Sequence, residues 1–178
     1  MADIIIISAS YAECRTMGWG GKHEFPGLLP TWLSEVEEIT RPNKQQPSVA
    51  VLSGYVTFRL MGEHTFDNRV NIVMTRSKVQ IEGCTTVSSL EELFNTCNQL
   101  DAVYIIGGYN TFANICRYVE PDQIFLLQIT GRAKKQGLRF PRISQLEYIE
   151  LSRVERPSFF GAPPYSLVQL LRIQRQLL

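Results

Sequence analysis

The segment Val103-Tyr104-Ile105-Ile106-Gly107-Gly108-Tyr109-Asn110-Thr111-Phe112 decides the fold. An apolar run of strand length meets a Gly-Gly pair, and the chain then opens a helical pattern. A strand buried on both faces of a parallel sheet reads this way, because covering helices leave no solvent side to alternate against. Paired glycines at its carboxyl end let a phosphate or cofactor approach the backbone with no Cβ in the way. A tight strand–helix turn that binds nothing explains the dipeptide equally well. The segment therefore sets a structure and leaves the ligand open.

The same grammar extends on both sides. Residues 4–7, 49–52, 71–75 and 102–106 are continuously apolar or β-branched and are expected as buried strands. Residues 31–40 and 89–100 carry helical spacing between them. In the second, Ser89 with Glu92 three residues later forms a capping box, and Leu90, Leu93, Phe94 and Cys97 form one stripe. Residues 110–118 predict a third helix and residues 57–61 a fourth short one. After residue 120 the pattern changes to strands at 124–129, 146–151 and 166–173, separated by polar loops bearing Pro or Gly. These predict antiparallel additions to one edge of the sheet. The expected architecture is α/β: one domain over 1–178, with a mainly parallel central sheet, flanking helices and an antiparallel C-terminal hairpin.

The composition agrees. The chain has 178 residues, of which 44% are hydrophobic and 20% charged, enough to bury one core and too apolar for a disordered chain. Lys plus Arg number 18 against 17 Asp plus Glu, so no net field draws the protein to nucleic acid or an anionic membrane. No apolar stretch, 4–7 and 102–106 included, comes near the ~20 residues that span a bilayer, and the first residues lack the basic region of a signal peptide. The four cysteines (Cys14, Cys84, Cys97, Cys116) show no paired spacing and are expected as reduced thiols in the cytoplasm. His23 and His64 lack a second ligand at metal spacing, so no metal site is expected. Arg132, Lys134, Lys135 and Arg139 read as a solvated turn. The tail from Arg172 to Leu178 ends in two leucines, which pack back on the sheet or meet a protein partner.

Ligands of an open α/β sheet bind beyond the carboxyl ends of its strands. Besides Gly107-Gly108, Val51-Leu-Ser-Gly54-Tyr-Val-Thr57-Phe58 is a strand, a glycine and a helix start, and the third strand ends in Thr75-Arg76 with Arg69 before it. Three strand ends of this kind in one sheet carry more than any one alone.

In chain order these segments resemble dihydrofolate reductase. The matching elements are the opening strand to Ser10, Met17-Gly18-Trp19-Gly20, Phe25-Pro26, Leu29-Pro30 with the helix through Leu33, Val36 and Thr40, then the Gly54–Phe58 junction. They continue with Arg69-Val-Asn71-Ile-Val-Met-Thr75-Arg76, Val87-Ser-Ser-Leu-Glu-Glu-Leu93, Ile106-Gly107-Gly108 and Phe140-Pro141. The order and spacing hold over roughly the first 140 residues.

The resemblance implies an NADPH-dependent reductase of 7,8-dihydrofolate. It places Gly107, Gly108 and Thr57 against the cofactor pyrophosphate and Arg76 at the 2′-phosphate, with Gly54, Thr75, Tyr109 and Asn110 also among the cofactor-binding residues. It places Ala9, Leu33, Val36 and Leu127 around the folate or related pterin. Arg69 is then the clamp for the α-carboxylate of the glutamate tail, a bidentate task suited to a guanidinium.

The departures from the family lie on the pterin side. Trp32 stands at the position of the acid that accepts hydrogen bonds from the pterin and promotes protonation of its N5. Indole is donor-only. If the alignment shifts by one, Leu33 takes that position and the carboxylate is still missing. Leu127 stands where a supporting threonine is usual, Gly27 replaces a tryptophan, and Tyr55 replaces a basic residue near the 2′-phosphate. The loop between Ser10 and Gly20 is about three residues longer than the family's, which bears on any lid. Glu35, one turn beyond Trp32, is a candidate substitute acid, whereas the plain expectation for Glu35, Glu37 and Glu38 is a solvated helix face.

Three functions follow. One is the reductase. Another is a catalytically inactive relative serving as a cofactor-binding or structural subunit of a larger assembly. The third keeps the cofactor and changes the substrate, as in riboflavin-pathway reductases, which leaves Arg69 without a task.

Overall fold

The isoleucine run near the N-terminus becomes β1 (Asp3–Tyr11), a central strand of an eight-stranded sheet. A computed structural model describes residues 2–11, 28–131, 147–157 and 163–173. Along β1 the side chains alternate: Ile5, Ile7 and Ala9 enter one core and Ile4 and Ile6 the other. β2 (Val49–Gly54) and β5 (Ala102–Gly107) divide in the same way, Val49, Val51, Tyr104 and Ile106 facing one core, Ala50, Leu52, Val103 and Ile105 the other. This period of two explains the unbroken apolar runs, since both faces of each strand are covered. Each isoleucine so buried contributes about 1.5–3 kcal/mol.

The remaining elements are α1 (Leu28–Ile39), α2 (Tyr55–Leu60), β3 (Val70–Met74), β4 (Thr85–Val87), α3 (Leu90–Thr96), α4 (Tyr109–Ile115), β6 (Gln123–Ile129), β7 (Tyr148–Arg156) and β8 (Tyr165–Arg172). The strand order is β4-β3-β2-β5-β1-β6-β8-β7. Strands β1 to β6 pair in parallel, whereas β8 runs antiparallel to β6, and β7 to β8. Helix α1 covers one face through Trp32 and Val36; α3 and α4 cover the other through Leu93, Phe112 and Ile115. The expected α/β architecture with its C-terminal antiparallel strands is the observed one.

The differences are local and physical. Helix α1 starts at Leu28, earlier than the expected residue 31, and Pro30 sits in its first turn, where a missing N–H costs nothing. The predicted helix 89–100 stops at Thr96, with Cys97 as its cap. Ser89 Oγ accepts from Glu92 N at 3.1 Å, but the Glu92 carboxylate returns to Ser88 N at 2.7 Å, one residue outside the usual box. Strand β4 has only three residues and no apolar run to announce it. Strand β7 reaches Arg156, well past residue 151, because an edge strand exposed to solvent needs no continuous apolar stretch. The expected turn of basic residues at 130–138 lies largely outside the described residues, as do Cys14, His23, Gly27 and the tail beyond Ile173.

Candidate active site

Parallel pairing brings the carboxyl ends of β2, β3 and β5 side by side, with Ser53 opposite Gly107 and Gly54 opposite Met74. Two strand–helix turns meet there. Gly54 caps α2 and Gly108 caps α4, and neither helix has a side-chain cap. A Cβ on Gly54 would lie 2.6 Å from Thr111 Oγ1, and one on Gly108 would lie 2.7 Å from Thr57 Oγ1. Both distances are far inside van der Waals contact, so only glycine lets the turns approach this closely. Gly107 adopts φ +136°, a conformation that L side chains rarely reach, and the Gly107–Gly108 peptide is cis. Thr57 and Thr111 are both buried, at 6% exposure, against this junction. Thr75 Oγ1 accepts from Ser77 N at 3.1 Å, and Arg76 is exposed just past the end of β3. Tyr109 is half-buried and Asn110 exposed at the start of α4. The residues expected around a cofactor therefore share one end of the sheet. Thr111 was not anticipated, although it stands three residues after Gly108, where a first-turn hydroxyl faces back to the cap.

The other expected cluster is built on α1. Trp32, Val36, Ala9 and Leu127 are fully buried and belong to one apolar core, with Leu33 half-buried against it. Ala9 and Leu127 are directly paired between β1 and β6. Trp32 is among the largest fully buried side chains, so its bulk is spent on packing α1 to the sheet.

Glu35 overturns the expectation of a solvated helix face. It is 9% exposed, and its Oε1 accepts from the Tyr165 hydroxyl at 2.6 Å and Arg156 Nε at 2.9 Å. Burial, then the hydrogen bond to Glu35, pushes the Tyr165 phenol well above its ordinary range; pairing with Glu35 raises Arg156 as well. The signal for this was the spacing Trp32, Glu35, Val36 at i, i+3, i+4, which is the buried stripe of a helix. Its partners were missed because they sit on the C-terminal hairpin. Glu38 does face solvent, paired with Arg41 at 2.9 Å.

Arg69 is the most deeply held cation described. Its side chain is 3% exposed and lies 5.8 Å from the centre of the Phe66 ring. Nε donates to Thr40 O at 3.1 Å and Thr40 Oγ1 at 2.9 Å, while Nη1 donates to Asp67 O at 2.6 Å. Nη2 donates to Glu37 O at 2.5 Å, and Nη1 pairs with Glu37 Oε1 at 3.0 Å. Helix α1 has no basic residue in its last turn, so Arg69 satisfies carbonyls that the helix end leaves open.

Burial pushes the thiols of Cys97 and Cys116 up to about 11, and that of Cys84 upward, which makes them poor nucleophiles. His64 is exposed and stands edge-on to Phe66. Among the described residues no group of metal-binding side chains comes together, and no helix is long and apolar enough to cross a membrane.

Comparison with known proteins agrees with this architecture. Dihydrofolate reductase from Enterococcus faecalis complexed with NADP(H) and RAB-propyl superposes with a TM-score of 0.74 over 96% of each chain, at 22% identity, a likeness of fold. Dihydrofolate reductase of Bacillus subtilis (strain 168) is 28% identical over 111 residues, which cover 62% of this chain and 61% of the relative. The match thus spans about three-fifths of that relative's length. The sequence model of dihydrofolate reductase matches residues 6–160, so the chain belongs to the dihydrofolate reductase family.

Proposed function

We propose that this chain is an NADPH-dependent reductase of dihydrofolate type, converting 7,8-dihydrofolate to tetrahydrofolate in the cytoplasm. The observation that carries this reading is the close approach of the β2–α2 and β5–α4 turns, where any Cβ on Gly54 or Gly108 would collide with Thr111 or Thr57. That cradle fits a pyrophosphate lying against bare backbone. Gly54, Thr57, Gly107, Gly108, Tyr109 and Asn110 would hold it, and Thr75 and Arg76 would take the 2′-phosphate. When bound, NADPH supplies the hydride.

On the substrate side, Leu33 offers apolar surface over the wall of Ala9, Val36 and Leu127, and Arg69 faces the tail. No carboxylate is available from Trp32. This reading assigns the proton source to Glu35, the acid one turn along α1, with Tyr165 and Arg156 orienting its Oε1. Absence of the acid from its family position lowers the rate by about 10²–10⁴ where nothing replaces it.

The burial of Trp32 and Leu127 in one core favours a second reading, a relative without turnover that binds the cofactor inside an assembly, its tail from Arg172 onward meeting a partner. Dihydrofolate-dependent NADPH oxidation by wild type and Glu35→Gln, with NADPH fluorescence on the same samples, separates the two. Wild-type turnover that falls at least about tenfold in Glu35→Gln supports the reductase and its acid. Turnover indifferent to the substitution removes Glu35 from the chemistry. NADPH binding without any turnover selects the second reading.

A further inference from the structure

We infer that the outer edge of β7 is an interface with a second copy of this chain, the two strands pairing antiparallel about a two-fold axis between Leu151 and Ser152. The inference does not depend on the reductase reading. Strand β7 ends the sheet: β8 lies on one side of it, and among the described residues no strand pairs with it on the other. Ile149, Leu151 and Val154 are 49%, 56% and 43% exposed on this strand. An edge of this kind is a template for another strand.

The β-bulge in β7 selects the occupant. Directly paired residues share a face, so Ile149 and Val154 lie on the face of Leu171 and Leu167, and Glu150 and Arg153 on that of Leu170 and Val168. Between Glu150 and Ser152 the register shifts, and Leu151 is the extra residue. A regular strand laid along β7 falls out of phase on one side of that bulge. A second β7 aligned bulge to bulge stays in phase throughout. This register sets Ile149 opposite Val154 and Glu150 opposite Arg153, each pair on one face; further out, Glu147 meets Arg156. Apolar faces apolar and acid faces base, twice over by symmetry. The backbone agrees. Glu147 O accepts from Ile173 N at 2.7 Å on the β8 side. Successive residues turn their N–H and C=O to opposite neighbours, so those of Glu150 and, beyond the bulge, Arg153 point outward. Within one chain Arg153 Nη2 pairs with Glu150 Oε2 at 2.7 Å, both side chains partly exposed. Across the axis each also meets the opposite charge of the copy, which makes a cluster of alternating sign.

The test is sedimentation equilibrium of the full chain. Wild type is expected as a reversible dimer with a dissociation constant on the order of 10 µM, as suits an interface of one strand. Glu150→Arg and Arg153→Glu each set like charges opposite one another across the axis and should weaken the dimer at least about tenfold. An equimolar mixture of the two variants restores every opposite-charge pair between chains and should dimerise within about threefold of wild type. Both variants lose the pair within the chain, and mixing does not mend that loss, so recovery reads the interface alone. In wild type, amide exchange at Glu150 and Arg153 should slow about fivefold when the concentration is raised to about ten times the dissociation constant. Wild type that is monomeric at about 500 µM overturns the inference. So do variants as dimeric as wild type, a mixture that stays monomeric, or exchange that ignores concentration.

Discussion

The junction of Gly54 with Gly107 and Gly108 and the buried face of α1 are both closely packed, yet they use close packing in opposite ways. At the junction, side chains are withheld: the turns approach until a Cβ on Gly108 would be 2.7 Å from a hydroxyl, which leaves the backbone bare at two strand ends, those of β2 and β5. On α1, side chains fill every space: Trp32, Val36, Ala9 and Leu127 close into one apolar core. A site built from backbone survives sequence change so long as its glycines remain. A site built from one ionisable side chain is lost with a single substitution, and the space it vacates is taken by packing.

The largest effect should come from forcing the family's acid back. Trp32→Asp removes a fully buried indole and buries a carboxylate in an apolar core, and is expected to cost about 4–5 kcal/mol of stability by urea unfolding. A stable variant with raised turnover would break the comparison, since position 32 would then open onto the substrate. Next, Gly108→Ala should weaken NADPH binding more than about tenfold in a fluorescence titration and cost about 1–3 kcal/mol through overpacking on Thr57. Unaltered binding would mean that the cofactor does not use the bare backbone. Arg76→Ala should weaken NADPH by about tenfold and NADH hardly at all, a charge-assisted contact to phosphate being worth roughly 1.5–3 kcal/mol less solvent screening.

The smallest effect concerns the hairpin. Tyr165→Phe leaves Glu35 without its 2.6 Å donor and should cost about 1–2 kcal/mol at neutral pH. Burial and the Glu35 bond raise the folded-state pKa of Tyr165 above the ordinary tyrosine value of 10. The folded protein therefore keeps a proton that the unfolded chain loses, so this stability is fully present below about pH 10 and declines as pH rises beyond it. Urea midpoints measured upward from pH 9 should show the decline in wild type and a shallower one in Tyr165→Phe. Equal slopes would mean that another group titrates there.

Much of this was legible from residues 103–112 outward, because strands buried on both faces write continuous apolar runs and glycine pairs mark their ends. The bounds of α1 and β7 were less so. Pro30 tolerates a helix start that composition alone does not reveal, and an edge strand such as β7 carries no apolar signature. At the site, the sequence shows which residues flank each turn but not what holds Glu35 or Arg69. Arg156 and Tyr165 reach Glu35 across more than a hundred residues, and such a contact has no periodic trace. The resemblance implies a ligand clamp at Arg69; the task the structure shows, closing the carbonyl end of α1, appears only once the helix and the loop before β3 are set side by side.

The comparison of the two regions is tested most directly by titrating NADPH and 7,8-dihydrofolate separately onto the wild-type chain. The account predicts that NADPH binds with an affinity of about micromolar or tighter and dihydrofolate at least about tenfold more weakly. Dihydrofolate bound as tightly as NADPH, or no binding of NADPH at all, would contradict it.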